Sequence, residues 1–118
     1  MATNTHADSV AVIQPEAARL DAITGREIVR QLRPYVELGA DVVLNFEHVD
    51  FITSEAIGYI AMSCRRIHHR RGRMRICCLK PEPFKVFQVT RLTELLDGVH
   101  DTVQEAIAAY QGKPGRFM

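Results

Sequence analysis

Thr53, Ser54 and Glu55 stand in a row, two hydroxyls and a carboxylate at the junction between an apolar strand and an amphipathic helix. A helix start presents unpaired backbone N–H groups and a partial positive charge. An anion placed there is stabilised. Either Thr53 or Ser54 can cap the helix while Glu55 complements its dipole, and that role alone accounts for all three residues. A phosphate on Ser54 or Thr53 would add about −1.5 to −2 of charge at a surface able to meet a partner. Asp21, ahead of an earlier helix, is a turn residue by type.

The densest charge lies in Arg65, Arg66, His68, His69, Arg70, Arg71, Arg73 and Arg75. Such a cluster can hold nucleic-acid phosphates. Arg65 and Arg66 fall on a helix and Arg73 and Arg75 on a strand, so they need not share a face. No aromatic residue is interleaved for base stacking. A solvated rim near a helix C-terminus is the plainer expectation, with an acidic protein partner next. His68 and His69 are adjacent and diverge by about 100° on a helix, which argues against a metal pair. Cys64, Cys77 and Cys78 lie within apolar patterns and read as reduced core residues. No Cys or His spacing matches a zinc site. There is no G-x-x-x-x-G-K-[ST] phosphate loop, no G-x-S-x-G elbow and no spacing that assembles a triad, so the expectation is a non-enzyme without a cofactor or metal.

The elements that would position these residues can be read from periodicity. Val10–Ile13 is a short strand candidate interrupted by Pro15, which suggests an edge or a turn. A further strand follows at 17–20. A helix is expected over 24–38, with Thr24 and Glu27 as its capping box and Gly39 as its stop. Pro34 predicts a kink, or an end near Leu32. The near-continuous apolar run 41–46 suits a strand covered on both faces. Ile57, Ile60, Ala61, Cys64 and Ile67 mark one face of a helix from Ser54 to about Arg70, stopped by Gly72. A strand over 73–79, a helix entered through Pro83, a short strand near Val99 and a helix capped by Asp101 complete the order, with Val103, Ala106, Ile107 and Tyr110 as the last helix's buried face. Residues 1–8 read as a frayed end, 9–111 as one domain and 112–118 as a loose tail.

Strands alternating with helices predict an α/β layer fold: a four- to five-stranded mixed sheet packed with about four helices. The 118 residues suit one core, and 15 Lys and Arg against 14 Asp and Glu give no bulk charge that would select nucleic acid or membrane. No apolar run approaches the roughly 20 residues of a membrane span. The start of the chain lacks the pattern of a signal peptide, so the expected compartment is the cytoplasm.

The stretch 46–60, FEHVDFITSEAIGYI, resembles the signature of the STAS domain, the fold of bacterial anti-sigma factor antagonists. In that family an aliphatic strand runs into a turn of the type F-hydrophobic-D-S-S-G, followed by an apolar residue and often Gly. Phe51, Ile52, Ser54, Ile57 and Gly58 fit. Thr53 replaces the Asp, Glu55 the second Ser and Ala56 the Gly. The resemblance extends in element order from about Val10 to Tyr110. It implies binding to an anti-sigma factor, usually one with a serine-kinase ATPase domain, and so control of sigma-factor-dependent transcription. It also implies that Asp21 lies beside the turn and that the contact surface comprises Asp21, Thr53, Ser54, Glu55 and Tyr59.

The usual phosphate acceptor falls on Glu55, which cannot be phosphorylated. Three outcomes follow: a state imitating the phosphorylated form, a switch moved to Ser54 or Thr53, or a constitutive docking module. Two other functions are consistent with the sequence. One is a STAS scaffold in a stress-signalling or lipid-transport complex, with self-association open. The other is a small nucleic-acid-binding protein using Arg65–Arg75.

Overall fold

The structure is a computed structural model that describes residues 2–7 and 10–111. Its sheet runs β1 (Ala2–Ala7), β2 (Val10–Pro15), β4 (Asp41–Asn45), β6 (Arg73–Cys77) and β7 (Gly98–His100), in the order β1-β2-β4-β6-β7. β1 is antiparallel to β2, and the remaining neighbours are parallel. A second sheet pairs β3 (Arg19–Leu20) with β5 (Phe51–Ile52), also parallel. The helices are α1 (Ala22–Leu38), α2 (Ser54–His69), α3 (Pro81–Val89), α4 (Leu92–Leu95) and α5 (Val103–Gln111). This is the α/β fold expected, with one more short helix and a separate two-stranded sheet.

Side chains alternate across a strand, and the alternation here separates two cores. Ala11, Ile13, Val42, Leu44, Met74 and Ile76 face Ile28 and Leu32 of α1, Ile60, Cys64 and Ile67 of α2, Phe87 of α3 and Leu92 of α4. Val10, Val12, Val43 and Cys77 face α5 through Ala106 and Tyr110. β4 is therefore covered on both faces, which is why its sequence is continuously apolar.

Several local expectations are corrected. The frayed end assigned to residues 1–8 is replaced over 2–7 by β1, paired from Ala2 with Pro15 to Ala7 with Val10. That pairing makes β2 an inner strand. Pro15 ends it, beyond the parallel ladder with β4, which runs only from Val10 to Ile13. The expected tail 112–118 lies outside the described residues. Helix α1 starts two residues early, and Thr24 is not its cap. Asp21 caps it, accepting from Ile23 N–H and Thr24 N–H, while the Thr24 hydroxyl accepts from Asp21 N–H. Glu27 instead pairs with Arg30 and accepts from Gln31. The helix runs on through Pro34 to Gly39, which takes the left-handed conformation at φ 62°. Asp101 does not cap α5: Thr102 accepts from Glu105 N–H, and Glu105 reaches back to Asp101 N–H.

At the end of α2 the left-handed residue is Arg71, at φ 69°, not Gly72. Arg71 N–H bonds to His68 O and Gly72 N–H to Ile67 O, the paired bonds of a Schellman stop. Gly72 answers a different need: a Cβ there would lie 2.4 Å from Ala40 O.

Candidate functional site

The small sheet is what assembles the site. β3 runs into α1 and β5 into α2, and their register sets Leu20 opposite Ile52. The next residue on each chain, Asp21 or Thr53, is a helix cap. Thr53 N–H donates to Leu20 O at 2.9 Å, so two helix starts are held side by side. Asp50 and Phe51 both donate to Ala18 O and fix the turn that leads in. Asn45, buried at the end of β4, accepts from Glu47 N–H and shapes the same connection.

Thr53 is the cap of α2, accepting from Ala56 N–H at 3.3 Å. Ser54 and Glu55 are the first two helical residues and are exposed. Asp21 lies across the β3–β5 pairing from them. The Thr24 backbone N–H, more than any other group, holds its carboxyl below the usual value, with Ile23 N–H and Arg19 adding to it. Tyr59, one turn along α2, is half-buried against α1, where a Cβ on Gly25 would lie 2.9 Å from its ring. All five residues named from the sequence thus belong to the two helix starts or to the first turns that follow.

Two side chains complete this surface that sequence reasoning passed over as contact residues. Ile23 in the first turn of α1 is 71% exposed, and Phe51 at the entry to α2 is 49% exposed. Arg19 lies over the Phe51 ring at 4.7 Å. Phe51 was visible as a motif residue. Ile23 carried no signal, because an isolated apolar residue beside a helix cap reads as core.

The arginine run divides. Arg65, Arg66, His69 and Arg70 of α2 meet Arg33 and Glu37 of α1 around a groove of about 490 Å³. Arg73 pairs with Asp41 at 3.0 Å, and both Arg73 and Arg75 lie over the Tyr110 ring on the other face of the sheet. The three cysteines are free thiols, with Cys64 and Cys77 buried. Burial, with the charge of Asp97, pushes the Cys64 thiol up to about 12, and burial raises Cys77 as well. Neither is an activated nucleophile. No helix among the described residues is long and apolar enough to cross a membrane.

A mixed sheet covered by helices on both faces, with adjoining helix starts at the carboxyl ends of two short parallel strands, defines a small three-layer α/β domain with one prepared end. The chain belongs to the STAS domain family, whose model matches residues 2–106. Solved structures share the fold. An anti-sigma factor antagonist from Mycobacterium paratuberculosis is 16% identical with a TM-score of 0.80, over 92% of each chain. An anti-sigma-factor antagonist (STAS) domain protein from Planctomyces limnophilus is 24% identical with a TM-score of 0.78, over 92% of this chain and 96% of that one. The anti-sigma factor antagonist SpoIIAA in its unphosphorylated form is 22% identical with a TM-score of 0.78, over 95% and 97%.

Proposed function

We propose that this chain is a regulatory docking domain that works as an anti-sigma factor antagonist, binding an anti-sigma factor of the serine-kinase ATPase type. The observation that carries this reading is the pairing of β3 with β5. It sets two helix starts together and frames Ser54 and Glu55 with the exposed apolar side chains of Ile23 and Phe51. Apolar anchors beside a charged helix start suit a protein partner, because burial supplies affinity and the charge supplies selection. Asp21, Thr53 and Tyr59 form the rest of the contact surface. SpoIIAA also has a solved structure in its phosphorylated form, 23% identical with a TM-score of 0.72 over 93% of this chain and 99% of that one. A phosphorylated form thus exists on this fold.

In this chain the position matching the usual acceptor is Glu55. Its fixed carboxylate carries about half or more of a phosphate's charge. The cycle therefore stops there, and the domain docks constitutively unless Ser54, one residue earlier and exposed, takes the phosphate. Thr53 is the poorer acceptor, since its hydroxyl is engaged as the cap. A nucleic-acid role is disfavoured by the division of the arginine run between two faces, with Arg73 committed to Asp41 and Tyr110.

The test is a pull-down from native lysate with wild type and Glu55→Ser, followed by mass spectrometry of partners and phosphosites. The expected result is retention of a kinase-type anti-sigma factor by both proteins, with phosphate at position 55 only in the variant. Phosphate on Ser54 of the wild type would show a relocated switch. Absence of such a partner with either protein would overturn the antagonist reading.

A further inference from the structure

Away from the helix starts, on the part of α2 that faces the α4–β7 connection, three ligating side chains converge. Cys64 and His68 are one helical turn apart, so both project from the same face of α2. Asp97 reaches them from the connection before β7. Cys64 Sγ lies 3.8 Å from His68 Nε2, and His68 Nε2 lies 2.7 Å from Asp97 Oδ2. The sulfur, nitrogen and carboxylate oxygen all fall within 4.8 Å of one another. We propose that Cys64, His68 and Asp97 form a binding site for a zinc-class divalent cation.

The chemistry of the donor set fits. Thiolate, imidazole and carboxylate are the three protein donors that zinc takes, at about 2.3, 2.0 and 2.1 Å. A tetrahedral site built on those lengths needs about 3.6 Å between sulfur and nitrogen and about 3.3 Å between nitrogen and oxygen. The first separation is nearly present, and the second opens by a small rotation of His68. One thiolate and one carboxylate balance the charge of the dication. Binding exchanges the thiol proton of Cys64 for the metal and releases that proton to solvent, while the Nε2 proton that His68 gives to Asp97 is exchanged through solvent for one on Nδ1, which frees the Nε2 lone pair. It also replaces the hydrogen bond between His68 and Asp97 with two metal bonds.

The surroundings support such a site. Met74 N–H donates to Asp97 Oδ2 at 2.7 Å, and Asp97 N–H donates to Met74 O at 2.9 Å, so the carboxylate is anchored on a core strand. Backbone partners of this kind orient a ligand. Cys64 is buried, while the side chains of His68 and Asp97 are 32% and 24% exposed, so two of the three ligands can be reached from solvent. The spacing Cys-x-x-x-His is not a standard zinc pattern, and the third ligand is 29 residues further on from His68. That is why periodicity alone does not disclose the set.

The probe is Co(II), titrated into the reduced full chain after chelator treatment. The expected result is one equivalent bound, with near-ultraviolet thiolate-to-cobalt absorption and visible bands of tetrahedral intensity, both abolished by one equivalent of Zn(II). Cys64→Ser removes the near-ultraviolet band. Asp97→Asn and His68→Gln, the latter keeping a donor toward Asp97, weaken binding by a factor of about ten or more, since even outer-shell partners are worth that much. The double variant Cys77→Ser, Cys78→Ser retains the band, and far-ultraviolet circular dichroism establishes that each variant is folded. Absence of thiolate absorption in wild type would overturn the proposal, as would its persistence in Cys64→Ser.

Discussion

His100 Nε2 accepts a hydrogen bond from Arg75 Nη1 at 3.0 Å, an arrangement that requires the neutral imidazole. Burial, and then the charge of Arg75 on β6, lower its pKa from 6.5, against the weaker pull of Glu105 and Asp101. A base with a depressed folded pKa binds fewer protons folded than unfolded, so stability falls as pH drops below 6.5 and levels off below the folded pKa. His100→Gln can still accept from Arg75 and does not titrate. Urea denaturation of wild type between pH 7.5 and 5 is expected to show a falling midpoint, and the variant a flatter profile; equal slopes would remove His100 as the cause. At this scale the sequence narrowed the cap of α2 to Thr53 or Ser54, and Thr53 takes that place. The sequence misled at Thr24, which with Glu27 matches the capping-box sequence, whereas Asp21 reads as a turn residue and Asp21 with Thr24 forms the box only in the structure. The contact that ties Thr24 to the turn before it is local. Thr24 Oγ1 donates to Arg19 O, so the chain has to leave β3 before the helix can begin.

Between elements, the site depends on how closely α1 approaches α2. Gly25 is the point of contact: a Cβ there would meet the Tyr59 ring at 2.9 Å, Ala56 Cα at 3.2 Å and Ala56 Cβ at 3.4 Å. Tyr59 can yield, but the backbone of Ala56 cannot. Gly25→Leu gains up to about 1 kcal/mol of helix propensity and costs about 1–3 kcal/mol or more in overpacking. The expected net result is destabilisation by about 1–2 kcal/mol, with the helix starts forced apart and partner capture reduced. Gly58→Ala is the internal contrast. Nothing lies within 4 Å of its Cβ, so it should gain about 0.4–1 kcal/mol. Denaturation midpoints for the pair check the sign; equal shifts would show that propensity, not contact, governs Gly25. The helices themselves were legible because their apolar faces repeat over several turns. The β3–β5 pairing was not, since two-residue strands carry no period and their register is set by the helices they feed. Of the two outcomes Pro34 allows, an end near Leu32 does not occur. An exposed proline predicts a break on local grounds, and the core contacts of Ile28 and Leu32 with Tyr35 and Val36 carry the helix past it.

The whole molecule is lopsided. Helices α1 to α4 share the larger core, while among the described residues α5 alone covers the opposite face of the sheet. Element order was readable throughout from apolar runs and breakers, but this asymmetry was not, because a face buried under one helix and a face buried under several have the same alternating pattern. The inner place of β2 was hidden too, since polar residues 2–7 gave no sign of a strand. Closure of the thin face depends on Tyr110. Its hydroxyl donates to Val42 O at 2.6 Å, and its ring lies beneath Arg73 at 4.9 Å and Arg75 at 4.8 Å. Burial raises the phenol's pKa, so it remains a donor at all ordinary pH. Tyr110→Phe deletes one hydrogen bond to the central strand and should cost about 0.5–1.5 kcal/mol. Tyr110→Ala also empties the space under the arginines, and comparable aromatic truncations cost about 3–5 kcal/mol. Since the core cluster under α5 includes no residue of α1 or α2, the two losses should separate by region. In Tyr110→Ala, amide exchange should rise across 103–111 and along the α5-facing side of β4 before it rises in α1 or α2, and the folded fraction should still capture the partner seen with wild type. Uniform loss of protection across α1, α2 and α5 would instead make the two cores one cooperative unit, with Tyr110 holding both.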